Sequence, residues 1–488
     1  MIATTLEDAA DAFDLMQDRG LSATEVNDLY VEPPGARPAP ELPPSAPVRA
    51  EITRRLIRRR ERPQKIFVTG QKGAGKTTTL ARIASDAAIT EHFVPIVIRA
   101  TRHIPVGVAD IRLLLVMLIT QVSQFIDQRK LNQAVIVANI KVGGIERDLN
   151  NWLQLFRGKK APTAPETFQN AKVKLSAQFV ELSEEIVRDP QRRLQVLKDE
   201  RYSVTELHRV VSALIGFAQQ ALALRVEGPQ FLLLVIDDLD KYAVPAEVQS
   251  IFQDGMEALR SLPCAAVLTY PYFLNFTDSF VQHDGAFPIL NVKVAERVSA
   301  GADDEPALLP LGQRELLGPA REFFNNIFDK LADRALVLDQ DVIDRAALLS
   351  AGIPREFLRL LSAGFELCID HHKKRLDLPT LDVARIRLQQ TMARTANEPW
   401  KQAGLKLVHA RGKILGFSEM LDTVHVVEYV NRTVWYGVHP SMEELVEGWI
   451  RQDRNLLIEK GADQASVERE LDEIWLKAAT TGRGRGAD

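Results

Sequence analysis

The chain has 488 residues, 26% of them charged and 46% hydrophobic, which is the composition of a globular protein long enough for about three domains. Its net charge of −4 excludes a protein that binds nucleic acid through its overall charge, so any such surface must be local. Two cysteines, Cys264 and Cys368, are too few for a disulfide framework or a cysteine-based zinc site. Their apolar neighbours predict buried free thiols in a reducing cytosol.

The N-terminal stretch MIATTLEDAADAFDLM is acidic and lacks the basic-then-apolar pattern of a signal peptide. The longest apolar run, Leu113 to Ile119, is too short to cross a bilayer. The sequence therefore predicts a cytoplasmic protein without membrane contact. Residues 1–48 are expected to form short helices followed by a proline-rich linker, since prolines crowd the stretch from Val31 to Pro47.

A basic helix is predicted next, from Glu51 to Lys65. It carries five arginines that fall close together on one side, which are Arg54, Arg55, Arg58, Arg59 and Arg62. They predict either a patch for nucleic-acid phosphates or a solvated face whose opposite side packs inward, and a charge run favours the second interpretation.

The strongest motif is the stretch IFVTGQKGAGKTTTL, from Ile66 to Leu80. A predicted strand leads into an octet that fits G-x-x-x-x-G-K-[ST], and a helix-forming run follows. In such a loop the backbone N–H groups surround a phosphate, the lysine reaches the β- and γ-phosphates, and the hydroxyl ligates Mg²⁺. The predicted nucleotide-binding residues are Gly70, Gln71, Lys72, Gly73, Ala74, Gly75, Lys76, Thr77 and Thr78.

A second acidic motif follows the apolar run from Phe231 to Ile236, which is typical of a central parallel strand. Asp237, at the end of that run, is predicted to hold Mg²⁺ together with Thr77, and Asp238 is predicted to orient or deprotonate the attacking water. A further strand ends at Thr269, which is either a contact for the γ-phosphate or an ordinary strand cap. The core is expected over residues 49–300, with an inserted helical subdomain at 127–202.

The C-terminal half is predicted to be helical. Residues 301–395 are expected to form a helical lid, in which Gly352-Ile353-Pro354-Arg355 opens one of the helices. In residues 396–455 the order helix, helix, hairpin, helix predicts a winged-helix-like domain, with the hairpin over Thr423–Val438. Because this region shows no basic recognition helix, protein packing is favoured over DNA contact. Residues 456–488 are predicted to be a helix and a flexible tail.

Taken together, the motifs KIFVTGQKGAGKTTT, LLLVIDDLDKY, VLTYP and AGIPREFLRLL resemble the ATPases at the border of AAA+ and STAND. These include origin-recognition-type proteins and bacterial relatives that regulate antiphage or mobile-element systems. The resemblance implies a doubly wound α/β ATPase core with a helical lid and a winged helix, and ATP with Mg²⁺ as ligands. It places Thr269 at sensor 1, Arg355 at sensor 2 and Pro354 against the adenine.

Two departures from that pattern matter. Asp238 stands where hydrolytic AAA+ proteins usually have glutamate, and a shorter carboxylate aligns water less well. From Pro271 to Leu290 there is no arginine or lysine to act as an arginine finger, although Arg297 or Arg314 lie just downstream. Slow turnover and a nucleotide-dependent switch that engages a protein partner or a homo-oligomer are therefore expected, with antiphage defence as one setting. The alternatives are a DNA-binding initiator, loader or transposition regulator, and a signalling scaffold that holds ATP without hydrolysing it.

Overall fold

The computed structural model describes most of the chain. The described residues are 2–19, 21, 25–34, 47–129, 131, 189–199, 202–224, 228–276, 286–298, 307–412, 419–430, 434–460, 462–463 and 466–482. Most of the predicted insert at 127–202 lies outside these residues, as do most of the proline-rich linker and the tip of the predicted hairpin.

The centre of the molecule is a five-stranded, entirely parallel sheet in the order β2-β3-β4-β1-β5. Its strands are β1 (Lys65–Thr69), β2 (Phe93–Arg99), β3 (Phe231–Asp237), β4 (Ala265–Thr269) and β5 (Ala286–Pro288). Because β4 lies between β1 and β3, the segments that follow these three strands meet at one edge of the sheet. Strands β1, β3 and β4 are almost wholly buried, as their apolar runs predict.

Helices cover both faces of this sheet, which gives a three-layer α/β core. The helices of the core region are Val48–Arg58, Lys76–Ser85, Ala87–Thr90, Ile111–Gln128, Pro190–Lys198, Val204–Ala223, Pro245–Val248 and Met256–Arg260, with a π-helical turn at Gln249–Asp254. One face of the sheet packs on Ile111–Gln128 and Val204–Ala223, and the other on Val48–Arg58 and Lys76–Ser85. The predicted doubly wound α/β fold is confirmed.

One helix among the described residues, Ile111–Gln128, is apolar and long enough to cross a bilayer, and 72% of it is buried inside the molecule. It packs against the central sheet and the helix Val204–Ala223. The core helix of a globular protein has the same apolar character, so its composition is explained by this packing.

The second half of the chain is mostly helical. Its helices are Gly318–Leu331, Gln340–Leu349, Pro354–Asp370, Leu378–Thr395, Pro399–Arg411, Glu419–Asp422, Pro440–Glu459 and Val467–Gly482. Two antiparallel pairs accompany them, β6 (Arg297–Val298) with β7 (Ala307–Leu308), and β8 (Val426–Val430) with β9 (Val434–Val438). We call residues 318–395 the lid and residues 399–482 the C-terminal module.

The segment boundaries differ from the predicted ones in two places. The N-terminal helix Leu6–Arg19, placed by the sequence in a separate leading segment, packs along the lid helix Pro354–Asp370. Its Phe13 is fully buried against Phe328 and Phe365. In addition, the helix Pro440–Glu459 runs across the boundary expected between 455 and 456, because its apolar residues continue to Leu457 and pack on the same core.

Candidate functional site

The phosphate loop follows β1 and leads into the helix Lys76–Ser85, as the motif predicts. Lys76 is buried, and its ammonium donates hydrogen bonds to the carbonyl oxygens of Gly70 at 2.7 Å and Gln71 at 3.0 Å. It also lies 3.0 Å from a carboxylate oxygen of Asp240. The lysine is thus held by its own loop and by a carboxylate, at the position where a nucleotide's phosphates would compete for it.

Asp240 is a site residue that the sequence analysis missed. The chain turns at Asp238, whose φ of 69° lies in the left-handed region, and the 3-10 turn Leu239–Lys241 then brings Asp240 back towards the phosphate loop. The only signal in the sequence is a third acidic residue after the strand, and spacing alone does not tell which way that side chain points.

Asp237 lies beside the first residues of the phosphate-loop helix. The Thr77 side chain interacts with this carboxylate and lowers its pKa, whereas the buried oxygen Oδ2 has no hydrogen-bond partner within the described part of the chain. Burial, together with the negative charges of Asp240 and Asp238, raises the pKa of Asp237 to about 6. A hydroxyl and an unpaired buried carboxylate oxygen at the phosphate loop are the ligands that Mg²⁺ takes in nucleotide sites, so these residues fit the metal.

The side chain of Asp238 contacts neither Thr77 nor Asp237 but two other residues. One of its oxygens accepts a hydrogen bond from the Thr101 hydroxyl at 2.6 Å, and the other lies 2.7 Å from the ammonium of Lys241. The pKa of Asp238 is lowered because these hydrogen bonds outweigh the effect of burial. Its predicted role with the attacking water stays a prediction, and in this structure both oxygens already have partners.

Thr269, at the end of β4, is fully buried between the phosphate loop and the acidic turn. Its hydroxyl accepts a hydrogen bond from the backbone N–H of Leu239 at 2.9 Å. This contact ties the end of β4 to the turn that carries Asp238 and Asp240. The predicted contact of Thr269 with a γ-phosphate stays a prediction.

The lid reaches the phosphate loop through the start of the helix Pro354–Asp370. The backbone N–H of Arg355 lies 3.4 Å from the Gly73 carbonyl oxygen, and its guanidinium donates to the carbonyl oxygen of Gln17 at the end of the N-terminal helix. A Cβ atom on Gly73, whose φ is +90°, would lie 2.8 Å from the Cβ of Arg355 and 2.9 Å from Ile353. Pro354 begins the helix beside these contacts. The loop and the lid are therefore in direct contact at Gly73.

Positive side chains gather where the lid meets the loop. The pKa of Lys72 is lowered by desolvation and then by the charges of Arg355 and Arg359. The nearby Glu356 is almost fully buried, and burial raises the pKa of its carboxyl group. Such a cluster of cations at a phosphate loop favours an anionic ligand.

The helix Val48–Arg58, which begins the predicted basic segment, lies away from the phosphate loop. Arg54, Arg58, Arg59 and Arg62 are exposed, whereas Arg55 is partly buried with its guanidinium 5.7 Å from the centre of the Phe287 ring. Gln64 joins the end of this helix to the start of β1, at the edge of the sheet opposite the phosphate loop. The arginines are therefore separate from the nucleotide site.

Arg297 and Arg314 are the two downstream arginines that the sequence offers as arginine fingers. Arg314 is buried, and its guanidinium contacts both carboxylate oxygens of Glu443 on the helix Pro440–Glu459, at 2.8 and 2.9 Å. It thus holds the C-terminal module in place and is not available to a neighbouring subunit in this conformation. The side chain of Arg297 lies outside the described atoms.

The chain was compared with protein families, curated proteins and solved structures. No protein-family model matches the chain, and no curated protein matches it in sequence. Among solved structures, it is similar to the Walker-type ATPase PABY2304 of Pyrococcus abyssi, with 12% identity, a TM-score of 0.39, and 82% of this chain and 95% of that chain covered. The chain has a doubly wound α/β fold in which a phosphate-loop motif joins β1 to the helix Lys76–Ser85.

The chain is similar to two further solved structures. One is the ORC1 protein of Aeropyrum pernix in complex with DNA, with 14% identity, a TM-score of 0.32, and 89% of this chain and 95% of that chain covered. The other is Cdc6p of Pyrobaculum aerophilum, with 10% identity, a TM-score of 0.33, and coverage of 85% and 97%. Identities and TM-scores this low transfer no activity or residue role to this chain.

Proposed function

We propose that this protein is an ATP-binding regulatory switch of the AAA+/STAND class, whose nucleotide state controls the positions of the lid and the C-terminal module. The observation that carries the proposal is the contact of Gly73 with Ile353 and Arg355, which puts the lid against the phosphate loop itself. A ligand that occupies the loop must therefore affect the lid, as γ-phosphate contacts do in other nucleotide switches.

The proposed ligands follow from the side chains that converge on the loop. The loop amides and Lys76 would hold the phosphates, with Arg355 as a further cation from the lid. Thr77 and Asp237 would hold Mg²⁺, which neutralises phosphate charge during transfer. Pro354, at the start of the lid helix, is the proposed neighbour of the adenine.

Slow hydrolysis is part of the proposal. Thr101 and Lys241 hold both oxygens of Asp238, so these contacts must rearrange before the carboxylate takes a proton from water. Arg314 is engaged with Glu443. Slow turnover suits a switch that waits for a protein partner, for which regulation of antiphage defence is the setting that the motif resemblance implies.

Steady-state ATP hydrolysis and binding of a fluorescent ATP analogue test the proposal, with Lys76→Ala as the inactive variant. We expect tight nucleotide binding, slow turnover indifferent to DNA, and loss of binding in Lys76→Ala. No binding by the wild-type protein, or equal binding by the variant, would overturn the nucleotide role. Binding without any hydrolysis would instead support the non-hydrolysing scaffold.

A second candidate, DNA binding by an initiator or loader, rests on the exposed arginines Arg54, Arg58, Arg59 and Arg62. Phosphate contacts by these residues would make duplex affinity fall steeply with salt concentration. Replacing all four by glutamine should abolish both the affinity and its salt dependence. Turnover that duplex DNA raises many-fold would favour this candidate over the switch.

A further inference from the structure

Gln71, the second residue of the phosphate loop, connects the loop to the C-terminal module. Its side chain is 2% exposed, and its amide nitrogen donates to the carbonyl oxygens of Val426 at 2.8 Å and Leu421 at 3.2 Å. Its amide oxygen accepts from the backbone N–H of Glu428 at 3.0 Å and from the side chain of Asn291. Three backbone groups of the C-terminal module thus converge on one side chain of the loop.

The backbone of the same residue contacts the phosphate-binding lysine. The carbonyl oxygen of Gln71 accepts a hydrogen bond from the Lys76 ammonium at 3.0 Å. Lys76 therefore touches Gln71 on one side, and the C-terminal module touches it on the other. When phosphate oxygens take the ammonium, this carbonyl loses its partner and the loop can rearrange.

A rearrangement at Gln71 affects the module because the amide has little freedom to adapt. Both donors and the acceptor oxygen of this buried amide are hydrogen-bonded. If they lose these partners, the unpaired amide groups stay buried, which is energetically unfavourable. A second link lies close by, since the buried carboxyl group of Glu428 interacts with Tyr272 of the core and Tyr436 of β9. Nearby, the rings of Phe276 and Tyr436 are 6.2 Å apart in an edge-on arrangement.

The lid enters the same junction through the residue beside Asn291. The backbone N–H of Val292 donates to the carbonyl oxygen of Gly352 at 3.0 Å, and a Cβ atom on Gly352 would lie only 1.7 Å from the Val292 carbonyl oxygen. Core, lid and C-terminal module therefore meet beside the phosphate loop, because Gln71 contacts Asn291 and Val426 while the neighbouring Val292 contacts Gly352.

We propose that Gln71 is the positioning residue that transmits nucleotide occupancy to the C-terminal module: its side chain docks the module in the nucleotide-free state, and nucleotide binding weakens this docking. The inference rests on the proposed function, because it requires a nucleotide at the loop. Linkage makes the effect reciprocal, so loss of the Gln71 contacts must tighten nucleotide binding by the factor by which nucleotide loosens the module.

The experiment is hydrogen exchange of the amides in 419–430, with and without a saturating non-hydrolysable ATP analogue and Mg²⁺, in the wild type and in Gln71→Leu. For the wild type we expect nucleotide to speed exchange about fivefold or more, in the range of ordinary allosteric coupling. For Gln71→Leu we expect fast exchange without nucleotide, no further response, and tighter binding of a fluorescent nucleotide.

Asp453→Asn is the matched control. Asp453 joins Lys406 and Trp475 inside the C-terminal module, and its hydrogen bonds among the described residues do not involve the loop. Its loss should therefore loosen the module while the nucleotide response persists. If Gln71→Leu does not fold, Asn291→Ala removes one partner of the amide from outside the loop, and the response should shrink. Gln71→Leu that retains the wild-type response would overturn the inference.

Two other results would also overturn it. They are exchange that is indifferent to bound nucleotide and exchange that nucleotide slows. Direct measurement of nucleotide binding separates these failures from failure of the proposed function, because a wild-type protein that binds no nucleotide rejects both ideas. A protein that binds nucleotide but shows no response rejects only the role of Gln71.

Discussion

The ammonium of Lys76 lies 3.0 Å from the carboxylate of Asp240, with both side chains largely shielded from water. The lysine that we propose binds phosphate thus already has an anionic partner from the acidic turn after β3. Any nucleotide must displace this carboxylate from the lysine, and the displaced charge stays close to the incoming phosphates. The ion pair therefore opposes nucleotide binding.

The first prediction follows from that pair. Asp240→Asn removes the competing charge and should tighten nucleotide binding about fivefold, which corresponds to about 1 kcal/mol. The gain should appear with and without Mg²⁺, as measured by titration of a fluorescent nucleotide. Asp254→Asn, an exposed carboxylate on the π-helical turn, serves as the control and should leave the affinity unchanged. Weaker binding only in the presence of Mg²⁺ would place Asp240 near the metal instead.

The second prediction concerns Asp238. Asp238→Asn should lower steady-state hydrolysis about 100-fold or more, the scale on which general-base groups contribute. It should leave nucleotide affinity within about twofold, because Asp238 contacts Thr101 and Lys241 and not the loop. Asparagine suits the test because it tolerates the left-handed backbone at this position. Unchanged hydrolysis would remove Asp238 from the mechanism.

The local parts of the site could be predicted from the sequence. A strand, a glycine-rich loop and a helix are consecutive in the chain, so spacing alone placed Lys76 and Thr77 together. Asp237 was placed beside them because the ends of neighbouring parallel strands meet at one edge of a sheet.

Other contacts join residues that are distant along the chain. Gln71 contacts Val426 across 355 positions, and Arg355 contacts Gln17 across 338. No periodicity or motif encodes which buried amide will meet which backbone carbonyl, since such pairing depends on how whole domains pack. The direction of Asp240 was hidden for a different reason, because it depends on a single positive φ at Asp238.

The third prediction tests the junction of lid and core. Gly352 has a φ of +78°, and any Cβ atom there would clash with the backbone of Val292. Gly352→Ala should therefore destabilise the protein by about 3 kcal/mol or more through strain and steric displacement. Gly448, inside the helix Pro440–Glu459, has open space around its Cα, so Gly448→Ala should stabilise by about 0.5–1 kcal/mol. Urea unfolding of both variants measures the contrast, and equal effects would contradict it.

The fourth prediction is that the N-terminal helix is an integral part of the lid. Phe13→Ala should lower the free energy of unfolding by about 3–5 kcal/mol, because it opens a cavity between Phe328 and Phe365. Leu15→Ala, on the exposed side of the same helix, should change stability by less than about 0.5 kcal/mol. Thermal unfolding of the two variants provides the comparison, and a Phe13→Ala protein as stable as the wild type would show that the helix is dispensable.

The last prediction concerns pH and His439, which begins the helix Pro440–Glu459. The imidazole is fully buried, and its Nδ1 accepts a hydrogen bond from the backbone N–H of Ser441 at 3.2 Å. Burial first, and then the charges of His425 and Arg359, lower the pKa of His439 from 6.5 to about 3. The folded protein therefore keeps this imidazole neutral where the unfolded chain binds a proton.

Between about pH 6.5 and 3, protonation of the unfolded chain at this position should cost stability as the pH falls, by about 1.4 kcal/mol per pH unit at most. His439→Asn keeps a side-chain acceptor at the start of the helix but cannot take up a proton in this range. Its free energy of unfolding should fall less steeply below pH 6.5 than that of the wild type, while the two curves run parallel above pH 7. Urea unfolding at successive pH values provides the measurement, and equal slopes below pH 6.5 would show that His439 is not the titrating group.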